Sequence, residues 1–360
     1  MTQSGGLNGK SAIEKAREII STYHGPRIRI MEVCGTHTHE IFRQGIRSLL
    51  SEEITLISGP GCPVCVTPVS YIDEAVMLAL EKGCTILTFG DLVRVPGSDM
   101  SLQTARGEGA KVRVVYSPQD AEVYARTHPE EETVFLSVGF ETTTPSSCIA
   151  LEQAIADGIS NFSLLCANKT MPAAYRAMMD ATDAYLYPGH VCAIQGLADC
   201  RQMLDLGMSG VVAGFTPQEL LTALAVIVQK TQEGKPFLVN CYPRVVTEEG
   251  SPQARALVEK YMEPCDSMWR GIGTMKDSGM DLRDAYEAYD ARKKYHLPKI
   301  EGREAKGCRC GEVLQGACTP RDCPLFGRRC TPEHPVGACM VSSEGACSAF
   351  YLYDSRKEQA

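Results

Sequence analysis

The chain has 360 residues and a net charge of −8, with 44% hydrophobic and 22% charged residues; this is the composition of a soluble protein with two or three domains. No basic stripe runs along any segment, which argues against nucleic acid as the main partner. Met1 to Lys10 lack the apolar core of a secretory signal, and the longest apolar run, Leu220 to Val228, is far short of a membrane span, so a cytoplasmic protein without a membrane partner is expected.

Ser11 to His24 predicts a helix, with a Ser11/Glu14 capping-box pattern, an apolar face of Ile13, Ala16, Ile20 and Tyr23, and a stop at Gly25-Pro26. Short β-branched runs then predict strands at 27–33, 54–58, 85–89 and 112–116, with helices near 40–50, 70–82 and 100–108. The polar segment His128-Pro129-Glu130-Glu131-Glu132 marks a boundary. Strands at 133–138, 162–167, 184–187 and 210–214 follow, with helices near 146–157, 172–181, 191–206 and 217–230. Such alternation predicts the α/β class, with parallel sheets covered on both faces. Two similar α/β domains facing a cleft are expected, over residues 25–127 and 128–236. A cysteine-rich domain over 237–360 completes the chain, with the 11–24 helix as a candidate to pack on it. Its tail has too little apolar patterning to fold alone, a deficit that a metal centre offsets.

The unusual sequences share one placement, directly after predicted strands: Cys34-Gly35-Thr36-His37, Gly59-Pro60-Gly61-Cys62, Gly90-Asp91, Gly139-Phe140-Glu141-Thr142-Thr143-Thr144-Pro145, Asn168-Lys169-Thr170 and Pro188-Gly189-His190. Ligands of open α/β sheets bind outside the carboxyl ends of strands, so one crevice can collect these segments.

Seventeen cysteines are the main anomaly. Disulfides are rare in a reducing compartment, so clustered cysteines read as metal ligands or redox thiols. Cys84, Cys148, Cys166, Cys192, Cys200, Cys241 and Cys265 are scattered and read as structural residues. Cys62 and Cys65 form a Cys-x-x-Cys pair at a strand-to-helix turn. There, helix amides favour a thiolate and two sulfurs can exchange two electrons; the alternative is half of a zinc site, although the chain has no second such pair. Cys34, beside Gly35, lets a ligand approach closely. Thr36 or Thr38 can cap the next helix, and His37 and His39 are as suited to a structural role as to binding metal or moving protons. Cys323, Cys330, Cys339 and Cys347 are irregularly spaced among Gly and Pro, which suits a [4Fe–4S] cluster better than zinc. Cys308, Cys310 and Cys318 rank behind them. Glu141 with its threonines, and His190, can position a small anion or a partner's tail, or can belong to an ordinary helix start.

Read together, Met31 through His39, Gly59 through Cys65, Thr88 through Asp91, Val138 through Pro145, Pro188 through Val191, and the tail segments Asp322 to Gly327, Cys330 to Glu333 and Val341 to Cys347 resemble the HypD family of nickel–iron hydrogenase maturation proteins. The resemblance spans roughly Ile30 to Tyr353. It implies a scaffold and redox protein for assembling an Fe(CN)2CO group, in concert with a small HypC-type chaperone and a HypE-type protein that delivers cyanide as a thiocyanate. By motif match, Cys34 would hold the iron that carries the CN and CO ligands. Cys62 and Cys65 would be the redox pair, and Cys323, Cys330, Cys339 and Cys347 the [4Fe–4S] ligands. His37, Glu141 and His190 join the candidate catalytic set. Holding iron requires Cys34 to be partly exposed and thiolate-prone. Two other functions remain open: an iron–sulfur disulfide reductase, and a non-catalytic zinc-binding interaction protein.

Overall fold

The computed structural model describes residues 11–354, so the reading of Met1 to Lys10 lies outside the described residues. Twelve strands are defined among them: β1 (Ile28–Glu32), β2 (Ile54–Ser58), β3 (Thr85–Thr88), β4 (Val112–Val114), β5 (Thr133–Ser137), β6 (Phe162–Cys166), β7 (Asn168–Lys169), β8 (Ala184–Pro188), β9 (Ser209–Ala213), β10 (Leu238–Asn240), β11 (Met262–Trp269) and β12 (Gly273–Leu282). They form a five-stranded parallel sheet in the order β10-β9-β8-β1-β2 and a four-stranded parallel sheet in the order β4-β3-β5-β6. A third, antiparallel sheet has the order β11-β12-β7. The expected mixed α/β class with parallel sheets is observed.

Strand pairing does not follow the expected division at residue 128. β3 pairs with β5 across that point, while β1 pairs with β8, more than 150 residues away in sequence. The polar segment His128 to Glu132 is a loop between two strands of one sheet. The cysteine-rich part likewise does not begin at 237, because β10 completes the five-stranded sheet.

In the five-stranded sheet the chain runs from β1 to β2 in one direction and from β8 through β9 to β10 in the other, so the order reverses between β1 and β8. In the four-stranded sheet it reverses between β3 and β5. Crevices in open parallel sheets open at such reversals. The loops at the two reversals are the motif loops: Cys34-Gly35 and Gly189-His190 in one sheet, Gly90-Asp91 and Gly139 to Glu141 in the other.

Period-two burial in β1 sets the layers. Ile28 and Ile30 pack with Ala16, Ile20, Leu220, Leu224 and Ile227, whereas Met31 and Val33 pack with Cys62, Cys65, Tyr185, Cys310, Cys339 and Cys347. The Ala12–Ser21 helix carries the expected capping box (Glu14 N–H to Ser11 Oγ, 3.3 Å; Ser11 N–H to Glu14 Oε2, 2.6 Å). Its apolar face lies on the Pro217–Thr231 helix rather than on the cysteine-rich tail, because Ile20 finds its apolar partners there. The tail contributes Cys310, Leu314, Met340 and Cys347 to the core that holds Met31 and Val33, so it folds onto the sheet rather than by itself.

Candidate functional site

Cys34 follows β1 and takes the N-cap position of the Gly35–Arg43 helix, five residues earlier than the sequence placed that helix. Amide groups of Thr36 and His37 point at its sulfur. The Gly59–Cys62 segment after β2 lies directly against it: Gly35 N–H donates to Gly61 O at 2.9 Å. A Cβ on Gly61 would stand 2.2 Å from Cys34 N and 2.3 Å from its Cα, so only glycine permits this approach. Cys62 then caps the short Pro63–Val66 helix, and Cys65 N–H reaches Cys62 Sγ at 3.4 Å. The Cys34 and Cys62/Cys65 motifs therefore form one backbone-connected unit.

The tail closes over this unit. Thr36 Oγ1 donates to Glu344 Oε1 at 2.6 Å, the His39 ring meets Ser343 O at 3.0 Å, and a Cβ on Gly35 would meet Glu344 Cβ at 2.8 Å. This cover changes the chemistry expected of Cys34. Its residue surface is partly exposed, as expected, but burial of the sulfur pushes its pKa up to about 12. The Thr36 and His37 amides oppose that rise and the Glu344 carboxylate adds to it. The resting thiol is protonated rather than thiolate-prone, and a cation at the sulfur would reverse that preference.

His37 is fully buried. Burial, with His190 nearby, lowers its pKa to about 4 against the pull of backbone carbonyls, so the ring is neutral. Its Nε2 is 3.0 Å from Gly214 O, after β9, and a carbonyl only accepts. The proton therefore sits on Nε2, and Nδ1, which has no partner, is a bare acceptor. Phe215 lies between the two histidines, stacked on His190 at 3.9 Å and tilted against His37 at 4.6 Å. Burial lowers the His190 pKa as well, against the attraction of Glu344. Glu344 thus faces Cys34, Thr36 and His190 together. The sequence reading did not single it out, because nothing local in Ser342-Ser343-Glu344 places it opposite a strand end 300 residues away.

Glu141 belongs to a different group. Its Oε1 accepts from Met171 N–H at 2.7 Å, and its electrostatic neighbours are Tyr175, Cys192 and Asp199. Burial raises its pKa to about 7.

The tail thiols gather beneath Cys65. The hydrogen bond with Cys339 favours a Cys65 thiolate, but the Cys62 thiol and burial together outweigh it and push the Cys65 pKa well up. Cys339 touches Cys310, Cys347 and Cys65 in turn. Cys308 Sγ is 3.3 Å from Cys310 Sγ, and a Cβ on Gly337 would stand 2.5 Å from Cys310 Sγ and 2.7 Å from Cys308 Sγ. Val336 N–H donates to Cys330 Sγ at 3.3 Å. Cys323 lies at the margin, its Sγ 3.7 Å from Gly307 O beside Cys308. Of the expected quartet, Cys330, Cys339 and Cys347 share one region and Cys323 borders it. Cys308 and Cys310, ranked second from sequence, lie inside it. Their spacing as a Cys-x-Cys pair was the available signal. Among the described residues, no three His, Cys, Asp or Glu side chains converge as ligands of a single metal ion. The donor set is all sulfur, with a backbone amide on one thiol and a glycine against two others, and it is compatible with an iron–sulfur cluster.

A family model described as "HypD: Hydrogenase formation hypA family" matches residues 10–354. The chain belongs to the HypD family. It is 42% identical to the hydrogenase maturation factor HypD of Azotobacter vinelandii, over 92% of this chain and 90% of that one. It is 41% identical to the HypD of Escherichia coli K12, over 96% and 94%, and 39% identical to a putative hydrogenase expression/formation protein of Methanocaldococcus jannaschii, over 96% of both. The HypD match covers every element built above, from the capped first helix to the tail over Cys34. Among the described residues, no helix is long and apolar enough to cross a membrane.

Proposed function

We propose that the chain is a hydrogenase maturation factor that holds iron at Cys34 while the Fe(CN)2CO group is built, and that it supplies electrons for cyanide transfer from the Cys62/Cys65 dithiol. It works in the cytoplasm within a maturation complex, beside a small HypC-type chaperone whose thiolate shares the iron and a HypE-type donor that presents cyanide as a thiocyanate. The iron and its diatomic ligands are cargo. The observation that carries this reading is the backbone contact of the Cys34 and Cys62 segments through Gly35 N–H and Gly61 O.

The electron balance is simple. Closing the Cys62–Cys65 disulfide releases two electrons and two protons. Breaking the S–C bond of a thiocyanate takes up two electrons, leaving cyanide and a sulfur that accepts one of those protons; the second is free for a nearby acceptor. His37 Nδ1 is unpartnered and unprotonated, so it can accept a hydrogen bond at the strand ends. His190 and Glu344 flank the same space. The tail thiols Cys323, Cys330, Cys339 and Cys347, with Cys308 and Cys310 now adjoining them, would hold a [4Fe–4S] cluster, which when bound supplies electrons singly. A general disulfide reductase needs an attacking thiol that its substrate can reach. Cys62 and Cys65 are 3% and 0% exposed, which favours the partner-assembled reading.

The test is infrared spectroscopy of the anaerobic complex with its chaperone. Cys34→Ala should remove the cyanide and carbonyl bands and keep the visible absorption of the cluster. Persistence of cyanide-ligated iron in that variant would refute the assignment of the scaffold thiol.

A further inference from the structure

Two of the scattered cysteines lie together. Cys192 is in the Gly189–Gln195 helix, one turn beyond Gly189-His190, and Cys200 is in the Ala198–Asp205 helix. Their sulfurs are 3.8 Å apart and both residues are 2% exposed. The helices join at Gly196, whose φ of +79° and close contact with Glu248 O (2.3 Å from a would-be Cβ) fix their mutual placement.

The surroundings are unusual for an apolar core. Tyr175 Oη, Tyr187 Oη and Glu141 Oε2 are all buried and all without a hydrogen-bond partner. The Tyr175 and Tyr187 rings meet edge to face at 5.2 Å. Both phenols, and Glu141, interact electrostatically with the thiol pair. An orphaned buried polar group costs about 1–3 kcal/mol, so three around one thiol pair call for a reason. On another side, Glu141 lines a cavity of about 220 Å³ shared with Ile194, Gln195, Thr170, Arg255 and Arg283. Ile194 and Gln195 come from the helix that carries Cys192.

We propose that Cys192 and Cys200 are a second, internal redox pair, converted to a disulfide by hydrogen peroxide that reaches them from the cavity side, past Glu141 and the helix that carries Cys192. The first thiol attacks the peroxide oxygen, the O–O bond breaks, and a sulfenic acid and water form. The second thiol then attacks the sulfenic sulfur, the S–O bond breaks, and the disulfide and a second water form. Each peroxide takes up two electrons, and no other reductant or oxidant enters. The unpartnered Glu141 oxygen receives the thiol proton and returns it to the departing oxygen, while the Tyr175 and Tyr187 hydroxyls, which keep their own protons, donate hydrogen bonds to the sulfur as it ionises; an apolar pocket could do neither. Burial places the Glu141 carboxyl where it exchanges protons near neutral pH. The bond would staple the His190 helix to its neighbour across Gly196. Oxidation thereby fixes one wall of the strand-end site without touching Cys34, Cys62 or Cys65. This assignment stands on its own geometry and does not depend on the maturation chemistry above.

The experiment uses the full-length protein, purified anaerobically, treated with hydrogen peroxide, quenched with a thiol alkylator and mapped by mass spectrometry. A Cys192–Cys200 linked peptide is expected, both in the wild type and in Cys62→Ser. Glu141→Gln should form it about a hundredfold more slowly, the scale of a lost proton acceptor. Recovery of both cysteines alkylated, at a peroxide dose that fully links Cys62 to Cys65, would overturn the proposal. Loss of the linked peptide in Cys62→Ser would overturn the peroxide as direct oxidant, and an unchanged rate in Glu141→Gln would overturn the part given to that carboxyl.

Discussion

Replacing Gly61 by alanine tests the contact on which the proposed chemistry rests. The new Cβ would lie 2.2, 2.3 and 2.6 Å from Cys34 N, Cα and C, all backbone atoms that no rotamer change can move. Ordinary contact begins near 3.4 Å, so the Cys34 and Cys62 segments must part by about 1 Å. Overpacking of this kind costs about 1–3 kcal/mol. The entropy of unfolding, at about 2.1 cal/mol/K per residue over 360 residues, makes that a fall of about 1–4 °C in Tm. The functional loss should be far larger, because a misplacement of about 1 Å between reacting groups costs about a hundredfold. Gly107→Ala is the matched control: nothing lies within 4 Å of a Cβ there and the backbone needs no positive φ. In complex with the chaperone, Gly61→Ala should lose nearly all cyanide-band intensity per protein, whereas Gly107→Ala retains it and both keep the visible absorption of the cluster. If Gly61→Ala loads iron like Gly107→Ala and melts within 1 °C of it, the two motifs do not work through this contact.

Three further perturbations follow from the same geometry. Arg47→Met strands the fully buried Glu32 carboxylate, which takes 2.7 Å bonds from Arg47 and Thr38; a loss of about 3–5 kcal/mol is expected by denaturant titration, and Glu32→Gln in the same chain should restore much of it. Glu141, with its pKa raised from 4.5 to about 7 by burial, binds a proton more tightly folded than unfolded, so its effect is absent below pH 4.5 and grows to a cost of about 3 kcal/mol as pH rises through 7. Glu141→Gln should flatten that part of the wild-type stability profile, and parallel profiles would contradict the assignment. Cys330→Ser and Cys347→Ser should each lower iron and sulfide content and bleach the visible spectrum, as should Cys323→Ser. Retention of full iron by Cys323→Ser, with loss in Cys308→Ser or Cys310→Ser, would move the fourth ligand to the Cys-x-Cys pair.

Much of the parallel framework was legible because buried parallel strands announce themselves locally. Val134 to Leu136, and Phe162 to Leu165 with the single polar Ser163, are short and largely apolar segments, and their limits agree with β5 and β6 to within a residue or two. Sheet membership was not legible. Nothing in Ile28 to Glu32 states that β1 lies beside β8 rather than beside β3, since that pairing closes a separation of more than 150 residues. The β11–β12 hairpin was missed for another reason: its strands, Met262–Trp269 and Gly273–Leu282, hold Glu263, Asp266, Lys276 and Asp277 at exposed positions, include Ser and Gly, and lack β-branched runs. The Pro118–Thr127 helix was missed although Ser117 and Asp120 form a capping box, because the apolar face it buries is mostly alanine. At the site, the thiols and histidines were legible as residue types. Glu344 and the protonated state of Cys34 were not, because both follow from a tail that folds back across some 300 residues.

That return of the tail explains why the motifs are spread over the whole chain. Cys34 and Cys62 are within reach of each other because β1 and β2 are neighbours, and His37 meets Gly214 because β8 and β9 complete the same sheet beyond the reversal. None of this brings the tail thiols nearby. The return of the tail does so, setting Cys339 against Cys65 and Glu344 against Thr36. One segment of fewer than ten residues thus touches both the Cys62/Cys65 pair and the helix that Cys34 caps. Any ligation that reshapes Cys339 to Cys347 is therefore mechanically linked to the cover over Cys34. The same carboxylate that helps keep Cys34 protonated at rest is carried by the strand of chain that a cluster at the tail thiols would anchor, so cluster content and access to Cys34 should vary together.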